Sequence, residues 1–152
     1  MLDVGNTQIV AEMITGLIDA DVYRIEAAEP YSSEYDATVQ SNQQEIQDDA
    51  HPAIANPLPS LDNYAVVLLG SPVWAMQEPM IMRTFVEAEN GLAGITAYPF
   101  VTYAVSGMGS VAANYERLYP DATWGEGLAV QGEEAQDARG DVEAWLEQIG
   151  LL

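Results

Sequence analysis

Apolar and polar residues recur along the chain with two different periods, which predict helices and strands in turn. Helical periodicity or a helix-starting residue marks five segments, at residues 7–18, 33–49, 79–89, 110–119 and 137–149. Extended segments are predicted at residues 21–26, 64–70, 95–103 and 122–130. This alternation of helix and strand is typical of an α/β protein with a parallel sheet.

The predicted strands differ in the burial that their patterns indicate. Residues 21–26 alternate polar and apolar side chains, as a half-exposed strand does. Residues 64–70 form a continuous apolar run, which is typical of a strand covered on both faces. Pro99 removes one ladder donor from the next strand, so we expect a bulge or a sheet-edge stretch there.

Length and composition indicate one soluble domain. The 152 residues are enough for a single hydrophobic core, and we assign them all to one domain. The absence of cysteine excludes disulfides, thiolate metal sites and cysteine nucleophiles. No apolar run is long enough to span a bilayer, and no signal peptide is visible. We therefore expect a cytoplasmic protein without a membrane partner.

The charge balance restricts the partners. Twenty-four acidic residues face only four basic ones, giving a formal charge of −20. The basic residues are all arginines, Arg24, Arg83, Arg117 and Arg139. Nucleic acid and anionic membrane surfaces would repel such a protein. The charges are either a solvated surface or a docking surface for a basic partner, and both readings stay open.

Three loops carry candidate chemistry, and each also has a plainer interpretation. Gly5, Asn6 and Thr7 open the first helix, whose free N–H groups would suit a phosphate, although a simple helix cap looks the same. A run from Ser71 to Trp74 follows the buried strand and offers a flat aromatic face, or only a core aromatic.

The third loop follows the strand at residues 95–103. Its small residues would let backbone approach a flat ligand closely, or would form an ordinary strand-to-helix connection. Its candidate residues are Thr102, Tyr103, Ser106, Gly107 and Gly109. Since all three loops lie at the carboxyl ends of successive parallel units, the fold would bring them to one rim, where open α/β sheets bind ligands.

Together these motifs make the chain similar to short-chain members of the flavodoxin-like family, from Gly5 to the C-terminus. The resemblance implies a three-layer sandwich with a parallel sheet in the order 2-1-3-4-5 and FMN bound non-covalently. It implies that Gly5, Asn6 and Thr7 hold the phosphate and that Ser71, Pro72, Val73 and Trp74 line one side of the flavin ring. Thr102, Tyr103, Ser106, Gly107 and Gly109 would line the polar edge of the ring.

The chain departs from that family at its start. Leu2 and Val4 stand where the family has phosphate-loop hydroxyls, and Ala104 replaces a glycine. Two lost hydrogen bonds of about 1.5–3 kcal/mol each could weaken FMN binding by on the order of a hundredfold or more.

The first strand of the family is also missing, because only four residues precede Gly5. Its two neighbours, at residues 21–26 and 64–70, would then stand roughly 10 Å apart. We expect a chain truncated relative to its family. A strand exchanged with another copy in a homodimer and a sheet that closes in a changed order are the alternatives.

The resemblance implies an FMN-dependent electron carrier whose acidic surroundings lower the flavin potential. Its redox partner would be a protein with a basic surface or a small-molecule electron acceptor. Two alternatives remain open: an FMN-dependent NAD(P)H:quinone oxidoreductase, and a truncated scaffold without flavin. We assign no catalytic side chain and no metal ligand, because the flavin itself would carry the redox chemistry.

Overall fold

The computed structural model describes residues 6–28, 35–55, 57–74 and 76–152. Its helices are α1 (Asn6–Leu17), α2 (Tyr35–Gln47), α3 (Met80–Ala88), α4 (Val111–Leu118) and α5 (Arg139–Gln148). Its strands are β1 (Val66–Pro72), β2 (Thr96–Tyr103), β3 (Thr123–Trp124) and β4 (Leu128–Gln131). Short 3-10 helices occupy Asn90–Leu92 and Gly132–Asp137. None of the helices in the described ranges is long and apolar enough to cross a membrane.

The sheet is parallel, with β2 at its centre. β1 pairs with β2 along its whole length, from Val66 opposite Thr96 to Pro72 opposite Thr102. On the other side, β2 pairs first with β3 and then with β4. The prediction of an α/β fold with a parallel sheet is confirmed, and β1, β2 and the β3–β4 pair correspond to strands 3, 4 and 5 of the expected order.

Helices cover both faces of the sheet and complete three layers. On one face α1 and α5 pack through Val10, Ile14, Val142, Trp145 and Leu146. On the other face α3 and α4 enclose a second cluster, which includes Phe85, Val86, Val111 and Tyr115. Both faces of β2 are therefore buried, which explains its almost continuous apolar sequence.

The irregularity expected at Pro99 lies in the strand beside it. β2 pairs with β1 without a change of register and with β3 and β4 on its other side, so the sheet-edge alternative is wrong. Opposite Tyr98 and Pro99, however, the neighbouring chain runs through residues 125–127 between the β3 and β4 pairings, and it contains an additional residue there. Pro99 has no N–H to donate, and the missing donor is accommodated where the ladder is interrupted.

The strand predicted at residues 21–26 is wrong. These residues pair with no strand of the described chain, and the nearest ladder is a single antiparallel bridge between Ala27 and Ile54. Burial of their side chains nevertheless alternates as predicted. Tyr23 and Ile25 pack on the α3 core, whereas Val22 is 69% exposed. Tyr23 stacks on Phe85 with ring centroids 5.7 Å apart. Periodicity thus predicted the buried side chains, whereas strand formation also needs a neighbouring backbone.

Candidate functional site

The carboxyl end of the sheet brings the N-terminus of α1 to the end of β2. Thr7 Oγ1 lies 2.7 Å from Thr102 Oγ1, so the first and third predicted loops meet. Asn6 is the first helical residue, and its side-chain amide lies against Gly132 at the end of β4. Gly5, the remaining predicted phosphate residue, lies outside the described residues.

The N-terminus of α1 is electrostatically suited to an anion. The first turn of any α-helix leaves N–H groups without intrahelical partners and carries the positive end of the helix dipole. No acidic residue occurs in this turn, although the chain as a whole has a net charge of −20. The Thr7 hydroxyl can add a donor, because its contact with Thr102 needs only one of their two protons.

The loop that follows β1 is closed by its own backbone. Trp74 N donates to Gln77 O at 2.8 Å, and Gln77 N donates to Trp74 O at 3.1 Å. Val73 N donates to Thr102 O at 3.0 Å, which fixes the start of this loop to β2. Pro72, Val73 and Trp74 are partly exposed at the rim, so Trp74 is not enclosed in the core.

Two of the predicted hydroxyl residues point inward. Ser71 is 3% exposed and Thr102 is 5% exposed. Ser71 Oγ lies close to the buried Tyr115 hydroxyl. Burial raises the pKa of Tyr115 well above its ordinary value, so this phenol stays neutral.

The loop after β2 presents its tip to solvent. Val105 is 92% exposed, and the partly exposed Ser106 hydroxyl donates to Gly107 O at 3.2 Å. Gly107 and Gly109 both have positive φ, at 66° and 58°. A Cβ on Gly109 would overlap the carbonyl of Met76, so this glycine permits close approach of the preceding loop.

Exposed apolar side chains mark this rim as a place where a flat apolar group could bind. Met76 is 55% exposed on the loop that follows β1, and Val105 is almost fully exposed on the loop that follows β2. Ligand sites combine apolar side chains with a few polar backbone groups, and both are present on these two loops. The sequence interpretation missed both, although an apolar residue inside a glycine- and serine-rich loop was the available signal.

An acidic pocket of about 380 Å³ adjoins the same rim. Its lining residues are Tyr103, Ala129, Val130, Gln131, Glu134, Asp137, Ala138 and Asp141. Gln131 Nε2 donates to Ala104 O at 3.1 Å and joins this pocket to the loop after β2. Three carboxyl groups beside the rim would attract cationic groups and repel anionic ones.

Comparison with known proteins gives one consistent family. The Flavodoxin family profile matches residues 3–149. The chain is similar to a candidate flavoprotein from Bacteroides eggerthii DSM 20697, with 30% identity, a TM-score of 0.84 and coverage of 97% of this chain and 92% of that one. A candidate flavoprotein from Bacteroides uniformis ATCC 8492 gives 27% identity and a TM-score of 0.82, covering 93% of this chain and 90% of that one.

A third structure carries a bound flavin. The flavoprotein from Lactobacillus acidophilus NCFM was solved in complex with FMN. It is 21% identical to this chain, with a TM-score of 0.72 and coverage of 86% of this chain and 89% of that one. At this identity the likeness concerns the fold. No protein with a curated description matches the chain.

Proposed function

Because this chain belongs to the flavodoxin family, we propose that it binds FMN non-covalently at the carboxyl-end rim and acts as an electron carrier. One observation carries the proposal: the N-terminus of α1 meets the end of β2 through Thr7 and Thr102, beside two loops that expose Met76 and Val105. A helix N-terminus that would suit a phosphate and exposed apolar side chains that would suit a planar ring therefore lie on elements that end at one rim. FMN would supply the redox chemistry, and no side chain is needed as acid or nucleophile.

The residues present suit the two chemically different parts of FMN. The unopposed N–H groups of α1 and the Thr7 hydroxyl would hold the phosphate. Trp74, Met76 and Val105 would cover the ring, and the backbone of residues 104–109 would meet its polar edge. Ser71 and Thr102 support these loops from below, since their side chains are buried.

The acidic pocket supports a carrier over an NAD(P)H-dependent enzyme. A pyridine nucleotide brings further phosphates, which Glu134, Asp137 and Asp141 would repel. Arg83 and Arg139 are engaged in ion pairs with Glu78 and Glu143. We accordingly propose a redox partner with a basic surface, which the same carboxyl groups would attract, and a cytoplasmic location.

Titration of the purified protein with FMN tests the proposal, with riboflavin as the matched ligand without phosphate. We expect saturable binding of FMN, which is measured by flavin absorbance and fluorescence. Riboflavin should bind at least tenfold more weakly, which corresponds to a difference in binding free energy of about 1.4 kcal/mol or more. Absence of FMN binding at high micromolar concentration would contradict the proposal and favour a flavin-free scaffold. Equal affinities for the two ligands would contradict the proposed phosphate site at the N-terminus of α1.

Steady-state kinetics separates the carrier from the enzyme. We expect the FMN-loaded protein to pass electrons to a basic redox protein at a rate that falls with salt, because attraction between opposite charges is screened. Rapid oxidation of NADH or NADPH with a quinone, at the turnover of an ordinary enzyme, would instead identify an oxidoreductase.

A further inference from the structure

Glu78 is a buried acidic residue at the end of the loop that carries Trp74. Its side chain is completely inaccessible to solvent, in a protein whose other acidic side chains lie mostly at the surface. Burying a carboxyl group costs free energy unless donors surround it. Its position next to the proposed flavin loop therefore requires an explanation.

Two donors satisfy the two oxygens of Glu78. Asn114 Nδ2 donates to Oε1 at 2.9 Å, and Arg83 Nε donates to Oε2 at 3.2 Å. The Arg83 side chain is itself only 13% exposed. The carboxyl group thus joins the loop to α4 on one side and to α3 on the other.

A second contact joins the same loop to the same helix. Met76 O accepts a hydrogen bond of 2.6 Å from Ser110 N at the start of α4, in the space that Gly109 leaves open. Ser110 and Asn114 are four residues apart and lie on one face of the helix. The Trp74 loop is therefore attached to α4 at two points, and the loop after β2 leads directly into that helix.

We propose that Glu78 is a positioning residue, which fixes the spacing between the two loops that enclose the flavin ring. This inference rests on the proposed function, because it concerns the same site. Met76 O holds the loop through the backbone alone, whereas Glu78 provides the side-chain attachment. Loss of that attachment would let the Trp74 loop move relative to Val105 and would weaken the hold on the ring.

The test replaces Glu78 by glutamine, which has nearly the same shape as glutamate and keeps one acceptor oxygen. Its NH₂ group, however, faces one of the two donors, so one of the two hydrogen bonds is lost. We expect the FMN dissociation constant of E78Q to rise about tenfold, which corresponds to about 1.4 kcal/mol. The visible-region circular dichroism of the bound flavin should change as well. Both are measured where far-UV circular dichroism shows every variant fully folded, so that reduced stability alone cannot produce the effect.

Exchange of donor and acceptor provides the rescue. In the double variant E78Q/N114D the new amide at position 78 can donate to the carboxyl group at position 114 and still accept from Arg83. We expect its FMN affinity to return to within about threefold of the unchanged protein. N114D alone sets two carboxyl groups against each other and should bind at least as weakly as E78Q.

E143Q is the charge-matched control, because it removes one carboxyl group from the exposed Arg139–Glu143 pair. It should leave the dissociation constant unchanged. If E78Q binds FMN as tightly as the unchanged protein, or if the double variant is no better than E78Q, the positioning role is overturned while the proposed function stands. If the unchanged protein binds no FMN, the proposed function fails and this role fails with it.

Discussion

Both ends of the sheet contain a carboxyl group that is partly or fully buried, but among the described residues only the one at the carboxyl end is surrounded by donors. There Glu78 is fully buried between Asn114 and Arg83. At the amino end a pocket of about 420 Å³ contains Asp62 and Glu89, and no arginine of the described chain pairs with either. Burial and the neighbouring Asp62 raise the pKa of Glu89.

The difference lies in how firmly each carboxyl group is held, and it agrees with the proposed flavin site at the carboxyl end. A carboxyl group that is matched by donors in the interior can hold a loop in one position. A carboxyl group whose charge is disfavoured by burial, and which has no donors around it, does not hold a loop in this way. The amino-end pocket is slightly larger than the acidic pocket at the rim and includes the exposed Tyr64. A helix N-terminus and a loop held by a buried carboxyl group, however, lie at the carboxyl end.

Gly109→Ala should have the largest effect on stability and FMN binding, because it disrupts the attachment of the Trp74 loop to α4. Alanine at positive φ costs about 1–2 kcal/mol, and overlap of its Cβ with Met76 O should add about 1–3 kcal/mol of overpacking. We expect urea denaturation to show a loss of unfolding free energy of that combined size, and FMN to bind at least tenfold more weakly.

Gly107→Ala is the matched control for this change. Gly107 has a similar positive φ of 66°, but nothing lies within 4 Å of the position that its Cβ would occupy. The stability difference between the two variants therefore measures the contact with Met76. Equal losses in both variants would mean that the loop is not attached to α4 at this point.

Val105→Ser should have a smaller effect, confined to binding. Val105 is 92% exposed, so its replacement should change the free energy of unfolding by less than about 0.5 kcal/mol. If the side chain covers the flavin ring, losing its apolar contact should weaken FMN binding about threefold to tenfold. Val22→Ser is the control, since Val22 is also highly exposed and follows Asp21, whose carboxyl group accepts a hydrogen bond from Tyr64 at the amino end of the sheet. An unchanged dissociation constant for Val105→Ser would exclude this loop tip from the site.

The order of elements was predictable because periodicity and parallel topology act over short stretches. The pattern predicted a buried strand at residues 64–70 and another strand at residues 95–103, and these correspond to β1 and β2 with small boundary shifts. Since parallel strands end at the same edge, the convergence of the loops followed. Residues 21–26 failed because an alternating pattern reports which side chains are buried, whereas pairing depends on a neighbour elsewhere in the chain.

Side-chain direction at the site was the harder part. Ser71 lies two residues after the buried Leu69, so alternation along β1 turns both side chains to the same interior face. That rule could have been applied to the sequence, and it removes the Ser71 hydroxyl from the rim. The attachment through Glu78 was beyond prediction, because it depends on Asn114, which lies thirty-six residues away on α4.

Glu89→Gln tests the amino end and should have the smallest effect. A carboxyl group with a raised folded-state pKa binds its proton more tightly in the folded chain than in the unfolded chain. Its contribution to stability is therefore fully present below the unfolded-state pKa and is lost as pH rises through the folded-state pKa. At pH 7 the charged Glu89 destabilises the fold, because burial and Asp62 both disfavour its charge. Glutamine removes that charge, so Tm at pH 7 should rise by less than about 2–4 °C, the shift that corresponds to roughly 1 kcal/mol in a chain of this size.

The pH dependence distinguishes this cause from a general effect of net charge. The gain should disappear below the ordinary carboxyl pKa, where Glu89 is protonated in both the folded and the unfolded chain. Glu143→Gln also removes one negative charge, but from an exposed ion pair, and it should produce no such gain at pH 7. Equal increases for the two variants would show that overall repulsion destabilises this acidic protein, and the contrast between the two ends of the sheet would then not extend to Glu89.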